Sequence, residues 1–518
     1  MEKPVTVCLM MLLMLAVAQA QTQNTSEQQW TIAASRVETG SLKYTEQVKE
    51  FYKLARYRPV WTGSAGNRQQ LLHYFSQAAA LGLQQNNYQS LWLTGFSSGA
   101  VQLHSLTDSL VADIRFTDAA IHFFTDVAYG SEVLLPSYNG LNYEPGCIPV
   151  VSLLALSVLQ GRFNMMLAEV EPSSPEYIAV KQLLQQYLGQ LNDSSYKEKE
   201  FITATVTHNN NEALQRKLYQ FKLTDSALQK RTPAEWKEKI KSAQQFFNIQ
   251  EDGILNQTLL KSLNVPLPKR IQELSRTLNL LRWLRCIKAQ HRNTVIVNIP
   301  SASLLVYNSD SLVFSSKVIV GKPSTRAPTL ASSITEVVLY PYWVVPKKIA
   351  TKELLPLIKK NINYLDENNL QVMNSNGRVV NPATINWSQL SAANFPYTLR
   401  QSTGCDNSLG IIKLNFYSPF GVYLHDTPWK SLFNFTRRYF SHGCIRVQDA
   451  TGLGRLALQD NAIAIDTLTE KGCLYNVKPR PVPVSQHLNV LVIYATAWIG
   501  DKNTVRFYSD VYNKFSSR

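Results

Sequence analysis

The stretch that decides the fold is Tyr423-Leu-His-Asp-Thr-Pro-Trp429, followed by Arg438-Tyr-Phe-Ser-His-Gly-Cys-Ile-Arg-Val447. It holds one cysteine, Cys444, with His442 two residues before it and His425 nineteen residues before it. A thiol is a strong nucleophile only as the thiolate, and an imidazole within reach can take its proton. His425 closes the run Gly421-Val-Tyr-Leu-His425, which reads as a short strand, and a strand end is a rigid mount for a base. In Ser441-His-Gly-Cys444 a glycine precedes the thiol, so the chain can turn tightly and aim successive N–H groups at one spot. Such a nest suits the oxyanion formed when sulfur attacks a carbonyl. Spacing alone is equally consistent with a small buried cysteine and a structurally satisfied histidine.

The wording of the stretch goes further than its spacing. His-Asp-Thr-Pro, a gap, then Arg-x-Phe-Ser-His-Gly-Cys-Ile-Arg-Val resembles the L,D-transpeptidase (YkuD) family, and the preceding chain resembles its long, multidomain YcbB-like subfamily. The resemblance implies acyl transfer on peptidoglycan stems. The thiolate of Cys444 would attack the carbonyl that joins the third stem residue to a terminal D-alanine. His425 would act as base and then as acid. The backbone N–H groups of His442, Gly443 and Cys444 would bind the oxyanion. An amine from a second stem would then resolve the acyl-enzyme and form a 3→3 cross-link. Arg446, Ser441, Tyr423 and Asn407 are the expected substrate-binding residues. The guanidinium of Arg446 suits a stem carboxylate, a structural ion pair being the alternative. Trp343 lines the cleft or fills the core, the latter being favoured. Either the Asp426 side chain or a backbone carbonyl orients His425, the carbonyl being usual in the family. No cofactor is implied. No metal is expected, because the two histidines lack a third ligand at sensible spacing. Two other outcomes stay open: resolution by water or a free D-amino acid (a carboxypeptidase or exchange enzyme), and a non-catalytic wall-binding scaffold.

The chain has 518 residues, of which 45% are hydrophobic and 17% charged, and a length that calls for more than one core. The formal charge of +15 favours anionic partners. No finger, basic helix or glycine-rich phosphate loop accompanies it, so nucleic acid is not expected; peptidoglycan stem peptides and glycan strands are. Val5 to Val17 is apolar except for Thr6, and Ala18-Gln-Ala20 supplies small residues for cleavage. Residues 1–20 therefore read as a signal peptide, which predicts a periplasmic or cell-envelope protein with no stable membrane span after cleavage. Five cysteines remain beyond it, an odd count that implies at least one free thiol. Which of Cys147, Cys286, Cys405 and Cys473 pair is not legible. A Cys405–Cys444 bridge would switch the enzyme off. Oligomeric state is not legible either.

The expected fold is multidomain α+β. Residues 21–206 carry apolar residues at helical spacing and resemble a helical scaffold domain, with His73, His104 and His122 structural. Residues 207–268 form a small module: helical spacing from Trp236 to Phe247, an Asp252-Gly253 turn, and a second short helix from Gln257. It resembles a peptidoglycan-binding module, although Asn256 stands where that family has glycine; a helical spacer without glycan affinity is the alternative. Residues 269–480 are the expected β-rich catalytic domain, entered by a helical strut with Ile271, Leu274, Leu278, Leu281 and Leu284 on one face. An insertion at about 347–400 breaks the β pattern, helical over Glu353–Ile358 and irregular over Asn374–Val380, Ile385–Trp387 and Phe395–Tyr397, and would form a lid-like capping subdomain. Residues 481–518 would supply closing strands.

Overall fold

The computed structural model describes residues 25–515, apart from 38–40, 89–92, 94, 97–100, 133–135, 142–145, 194–201, 203–211, 226–229, 291–292, 460–464, 467–469 and 501–503. The signal-peptide segment lies outside the described residues. No described helix is long and apolar enough to cross a membrane.

Helical spacing of apolar residues builds the N-terminal part. Helix α1 (Leu106–Tyr129) starts at Ser105, whose side chain accepts the Asp108 N–H, and buries Leu110, Ile114, Ile121, Phe124 and Val127. Helices Thr45–Leu54, Ala65–Ser76 and Val150–Leu159 share its core. Inside that core the Asp113 carboxylate accepts the N–H groups of Val60, Trp61 and Thr62 at 3.0, 2.8 and 2.7 Å. A buried carboxylate is tolerable only when satisfied in this way. A two-residue strand, β1 (Tyr138–Asn139), and helix α2 (Pro175–Leu191) follow.

The module has the two expected helices, α3 (Pro233–Phe246) and α4 (Gln257–Leu263). Thr232 and Glu235 form a capping box on α3. Gly253 takes φ +76° in the turn, and its N–H donates to Gln244 Oε1 at 2.8 Å. Asn256, the departure from the family pattern, caps α4 by accepting the Leu259 N–H at 2.9 Å.

Helix α5 (Leu267–Gln290) is more than the expected strut. It is buried on several sides, by Leu274, Thr277, Leu281, Arg282 and Ile287 among others. One core joins it to α2, to α3 and α4, and to the chain near residue 500. The guanidinium of Arg270 lies between the rings of Phe247 (5.1 Å) and Phe507 (4.5 Å) and pairs with Glu273 at 2.7 Å. Arg282 donates to Leu81 O and Tyr177 Oη, both at 2.7 Å, and Cys286 is bridged to Cys147.

Beyond α5 the spacing changes to the period of two that a sheet requires. The strands are β2 (Asn293–Asn298), β3 (Ser303–Asn308), β4 (Ser311–Gly321), β5 (Leu330–Leu339), β6 (Trp343–Val344), β7 (Leu370–Met373), β8 (Thr398–Gln401), β9 (Ile412–Phe416), β10 (Leu424–His425), β11 (Tyr439–Ser441), β12 (Ile445–Val447), β13 (Arg480–Ile493), β14 (Ala497–Ile499) and β15 (Val505–Phe507). The main sheet runs β1-β5-β13-β2-β3-β4-β12-β10-β9, and β9 also pairs with β5, so the strands from β5 round to β9 close on themselves. The expected curved sheet is thus a closed ring around one apolar core.

The segments 374–380, 385–387 and 395–397 lie outside the strands, as expected, but the insertion does not break the β pattern throughout: a π-helical turn (Ala350–Leu354), helix α6 (Leu355–Lys360) and a three-stranded sheet β6-β8-β7 enclose a core of their own that includes Leu355, Ile358, Val372, Trp387 and Leu399. The C-terminal segment does not only close the domain. Strand β13 lies between β2 (parallel) and β5 (antiparallel), inside the ring's order, because its Val490 and Val492 complete the ring's core. Strands β14 and β15 pair apart from it, in the core shared with the module.

Candidate active site

The register around β10 assembles the site. Leu424 pairs with Ile445 of β12 and Leu414 of β9, and these three belong to the ring's core. Their neighbours must therefore point the other way. That outer row holds Tyr423, His425, Lys413, Cys444 and Arg446, with His425 registered between Lys413 and Arg446. The pattern is in the sequence: Val422-Tyr-Leu424-His, Cys-Ile445-Arg-Val447 and Ile412-Lys-Leu414 alternate core residue and site residue. Helix α7 (Ala450–Leu458) follows β12 and covers the ring's core with Leu453, Ala457 and Leu458.

The nucleophile loop is held by its own serine. Ser441 Oγ donates to Cys444 O at 2.5 Å and accepts the Gly443 N–H at 3.1 Å. Gly443 takes φ +120°, a region an L side chain rarely adopts, so glycine is required here. Beneath the loop, Lys322 N–H and Thr325 Oγ1 both donate to Ser441 O at 3.0 Å. Ser441 thus shapes the loop, and the Gly443 N–H has a partner within it. Asn407 is fully buried, and its amide holds Pro341 O, Ser402 O and the Leu409 N–H at 3.1, 2.8 and 2.8 Å.

His425 has a fixed tautomer. His425 Nδ1 lies 2.6 Å from the carbonyl oxygen of Asp426, and a carbonyl only accepts, so Nδ1 carries the proton and Nε2 keeps its lone pair. The backbone carbonyl orients the ring, as the family resemblance implies. The Asp426 carboxylate faces elsewhere, to Lys430 Nζ at 2.5 Å and the Ile411 N–H at 3.1 Å.

Electrostatics keep the resting pair neutral. Burial, aided by the positive charges of Arg446 and Lys413 and opposed by the Asp426 carbonyl, pushes His425 down to about 3. Burial pushes the Cys444 thiol up, while hydrogen bonds from Tyr423 and the charges of Lys413 and Arg446 pull the other way. Burial thus favours the neutral imidazole and the uncharged thiol at rest. The cations and Tyr423 stand ready to stabilise the sulfur anion as it forms. Tyr423 packs its ring edge-on to His425 at 5.6 Å, and Lys413 Nζ lies 4.1 Å from that ring's centre. Lys413 was not expected from the motif; its signal is a lone cation between two core residues of a strand. Cys444 is the free cysteine among the described residues, since Cys405 pairs with Cys473. The Cys405–Cys444 bridge is thereby excluded in this structure.

A cavity of about 490 Å³ lies between lid and ring, lined by Trp343, Glu353, Trp429, His442 and Arg446 among others. Trp343 does both: it lines the cleft and packs against the lid's core. Arg446 lies over the ring of Trp429 at 5.1 Å and has no carboxylate partner among the described residues, so its guanidinium is open to an anion. His442 instead meets Glu353 of the lid at 2.9 Å. The described residues hold no group of three or more His, Cys, Asp or Glu placed for a metal.

This geometry agrees with what the chain is similar to. Residues 292–459 match the family described as "L,D-transpeptidase catalytic domain". Over those residues the chain is similar to that family. The catalytic domain is preceded by matches to a "Scaffold domain" over 46–184 and to a "Putative peptidoglycan binding domain" over 207–263. A Haemophilus influenzae protein named "Putative L,D-transpeptidase" is 38% identical over 230 residues, 44% of this chain. The match spans 46% of that relative's length. Among solved structures, an L,D-transpeptidase from Mycobacterium smegmatis aligns at 14% identity over 39% of this chain and 58% of its own, with a TM-score of 0.19. LD transpeptidase LdtMt1 in complex with imipenem aligns at 15% identity over 39% and 59%, also at 0.19. Scores this low carry no argument.

Proposed function

We propose that this chain is a peptidoglycan L,D-transpeptidase that forms 3→3 cross-links through a Cys444 acyl-enzyme. The observation that carries the reading is the outward row of Tyr423, His425, Cys444, Arg446 and Lys413, whose Arg446 lines the cavity beneath the lid. The thiol attacks the carbonyl between the third stem residue and D-alanine while His425 Nε2 takes its proton. The N–H of Cys444, with that of His442, binds the oxyanion. Collapse breaks the C–N bond, and the imidazolium protonates the departing D-alanine. The side-chain amine of a second stem then attacks the thioester, His425 takes the amine proton, and the C–S bond breaks to return the thiol. Arg446 holds a stem carboxylate and Tyr423 the sulfur side of the cleft.

The same reading divides the chain into a signal peptide (1–20), scaffold (21–206), wall-binding module (207–268), catalytic domain with its lid (269–480) and a C-terminal segment (481–518). It makes the protein one of the periplasm or cell envelope, with peptidoglycan stems and glycan strands as partners. Purified tetrapeptide stems, incubated with enzyme and analysed by mass, test it. A dimer lacking one D-alanine is the expected product. A tripeptide monomer would make the protein an L,D-carboxypeptidase, D-amino-acid incorporation an exchange enzyme, and no change a binding scaffold.

A further inference from the structure

The lid is tied to the catalytic domain unevenly. Its apolar core is separate from the ring's core. At its root several hydrogen bonds cross: Ser402 N–H to Asn369 O at 2.9 Å, Asn369 Nδ2 to Asp406 Oδ2 at 2.8 Å, and Gln401 Nε2 to Asn368 O at 3.1 Å. At its helical end, one polar contact reaches the catalytic domain among the described residues. Glu353 Oε1, in the π-helical turn Ala350–Leu354, lies 2.9 Å from His442 Nε2. His442 is two residues from the nucleophile, and both partners line the cavity. Their side chains are 50% (Glu353) and 32% (His442) exposed, so the pair is weak enough to open and re-form in each turnover. The turn cannot drift on its own, since Ala350, Leu355 and Ile358 anchor it in the lid's core. Single-turn π-helices recur at functional sites.

We propose that Glu353 is a positioning residue that latches the lid onto the nucleophile loop and thereby sets how the acyl-enzyme is resolved. The inference rests on the transpeptidase reading. Two acceptors compete for the thioester. An amine displaces sulfur and leaves an amide; water displaces it and leaves a carboxylic acid; in both, the acceptor's proton passes through His425 to Cys444. A seated lid excludes water while the larger stem, once bound, holds its amine in place. Releasing the latch therefore favours water while leaving the Cys444 and His425 side chains in place.

The test is the ratio of tripeptide to cross-linked dimer made from tetrapeptide stems by Glu353→Gln, Glu353→Ala and Glu353→Lys. The ratio is expected to rise about two- to fivefold in Glu353→Ala, the range an exposed ion pair supplies. It should rise less in Glu353→Gln, which keeps a hydrogen-bond acceptor, and most in Glu353→Lys, which sets a cation against His442. Hydrogen exchange over 347–360 should quicken in the same order, with unchanged Tm. An unchanged ratio in both Glu353→Ala and Glu353→Lys overturns the proposal, as does an equal fall in both products. Wild-type enzyme that makes no dimer overturns the transpeptidase reading itself, and the latch with it.

Discussion

His425 and Asp426 are adjacent in sequence yet joined only through main chain: the ring donates to the Asp426 carbonyl at 2.6 Å, while the Asp426 carboxylate points to Lys430 and the Ile411 N–H. The base therefore owes its tautomer to a backbone atom that no substitution removes. Asp426→Asn should keep most of the activity, since the amide oxygen still accepts the Ile411 N–H and neither that bond nor the contact with Lys430 orients the imidazole. Steady-state D-alanine release checks this. A loss of about 10⁴-fold, the size expected where a carboxylate fixes a catalytic histidine, would give the orienting role to the side chain. His425→Ala should lose about 10²-fold or more.

The neutral resting pair has a pH signature. The thiol is raised and His425 is lowered to about 3, so no thiolate–imidazolium plateau should exist between pH 4 and 7. Iodoacetamide alkylation of Cys444 should rise only above the ordinary thiol range of about 8.5. A fast plateau in mild acid would show a preformed ion pair.

The same histidine affects stability, and the sign follows from its depressed value. Unfolded His425 takes a proton near pH 6.5 and the folded one near 3. Its contribution is thus fully present above pH 6.5 and lost as pH falls toward 3. Denaturant melts across this window should give a shallower acid decline for His425→Gln than for wild type. Parallel declines would mean that the imidazole is charged in the fold.

Cys444→Ser should abolish turnover and leave Tm unchanged, because an oxygen nucleophile has a far higher pKa and no dedicated activation here. Wild-type protein incubated with a carbapenem should gain a single covalent adduct, mapped to Cys444 by peptide mass. Adducts after partial reduction at Cys405 or Cys473 instead would show that thiol exposure, not the site, governs acylation.

The module cannot be removed cleanly. Phe246 and Phe247 meet Phe507 ring to ring, and Arg270 is buried between Phe247 and Phe507. Deleting Trp236–Pro266 should yield insoluble protein rather than a free catalytic domain, and Arg270→Ala, which strands Glu273, should cost about 3–5 kcal/mol in chemical denaturation. A soluble, active deletion variant would show that the shared core is dispensable.

What the sequence made legible follows from how local each signal is. Cys444, His425 and the module's two helices lie in contiguous patterns, so their elements could be read directly. The outward row also was there in period-two form, yet Lys413 escaped because only the β9–β10 register carries it to His425. The backbone partners of Ser441 and Asn407 were not legible, because a polar residue in a loop looks the same whether it faces outward or its own backbone. The lid's sheet was missed because its strands have two to four residues, too few to show a period. Cysteine pairing depends on distance in space, and Cys147 and Cys286 are 139 residues apart.

The central place of β13 sets a constraint on the order of synthesis. The ring needs a strand between β2 and β5 that is made some 140 residues after the latter. Until then the nascent chain presents two unpaired edges, each with a valine-rich row open to other chains. A message truncated before Arg480 would still encode Cys444, His425 and the whole lid, and would nonetheless produce a sticky, open half-ring in place of an enzyme.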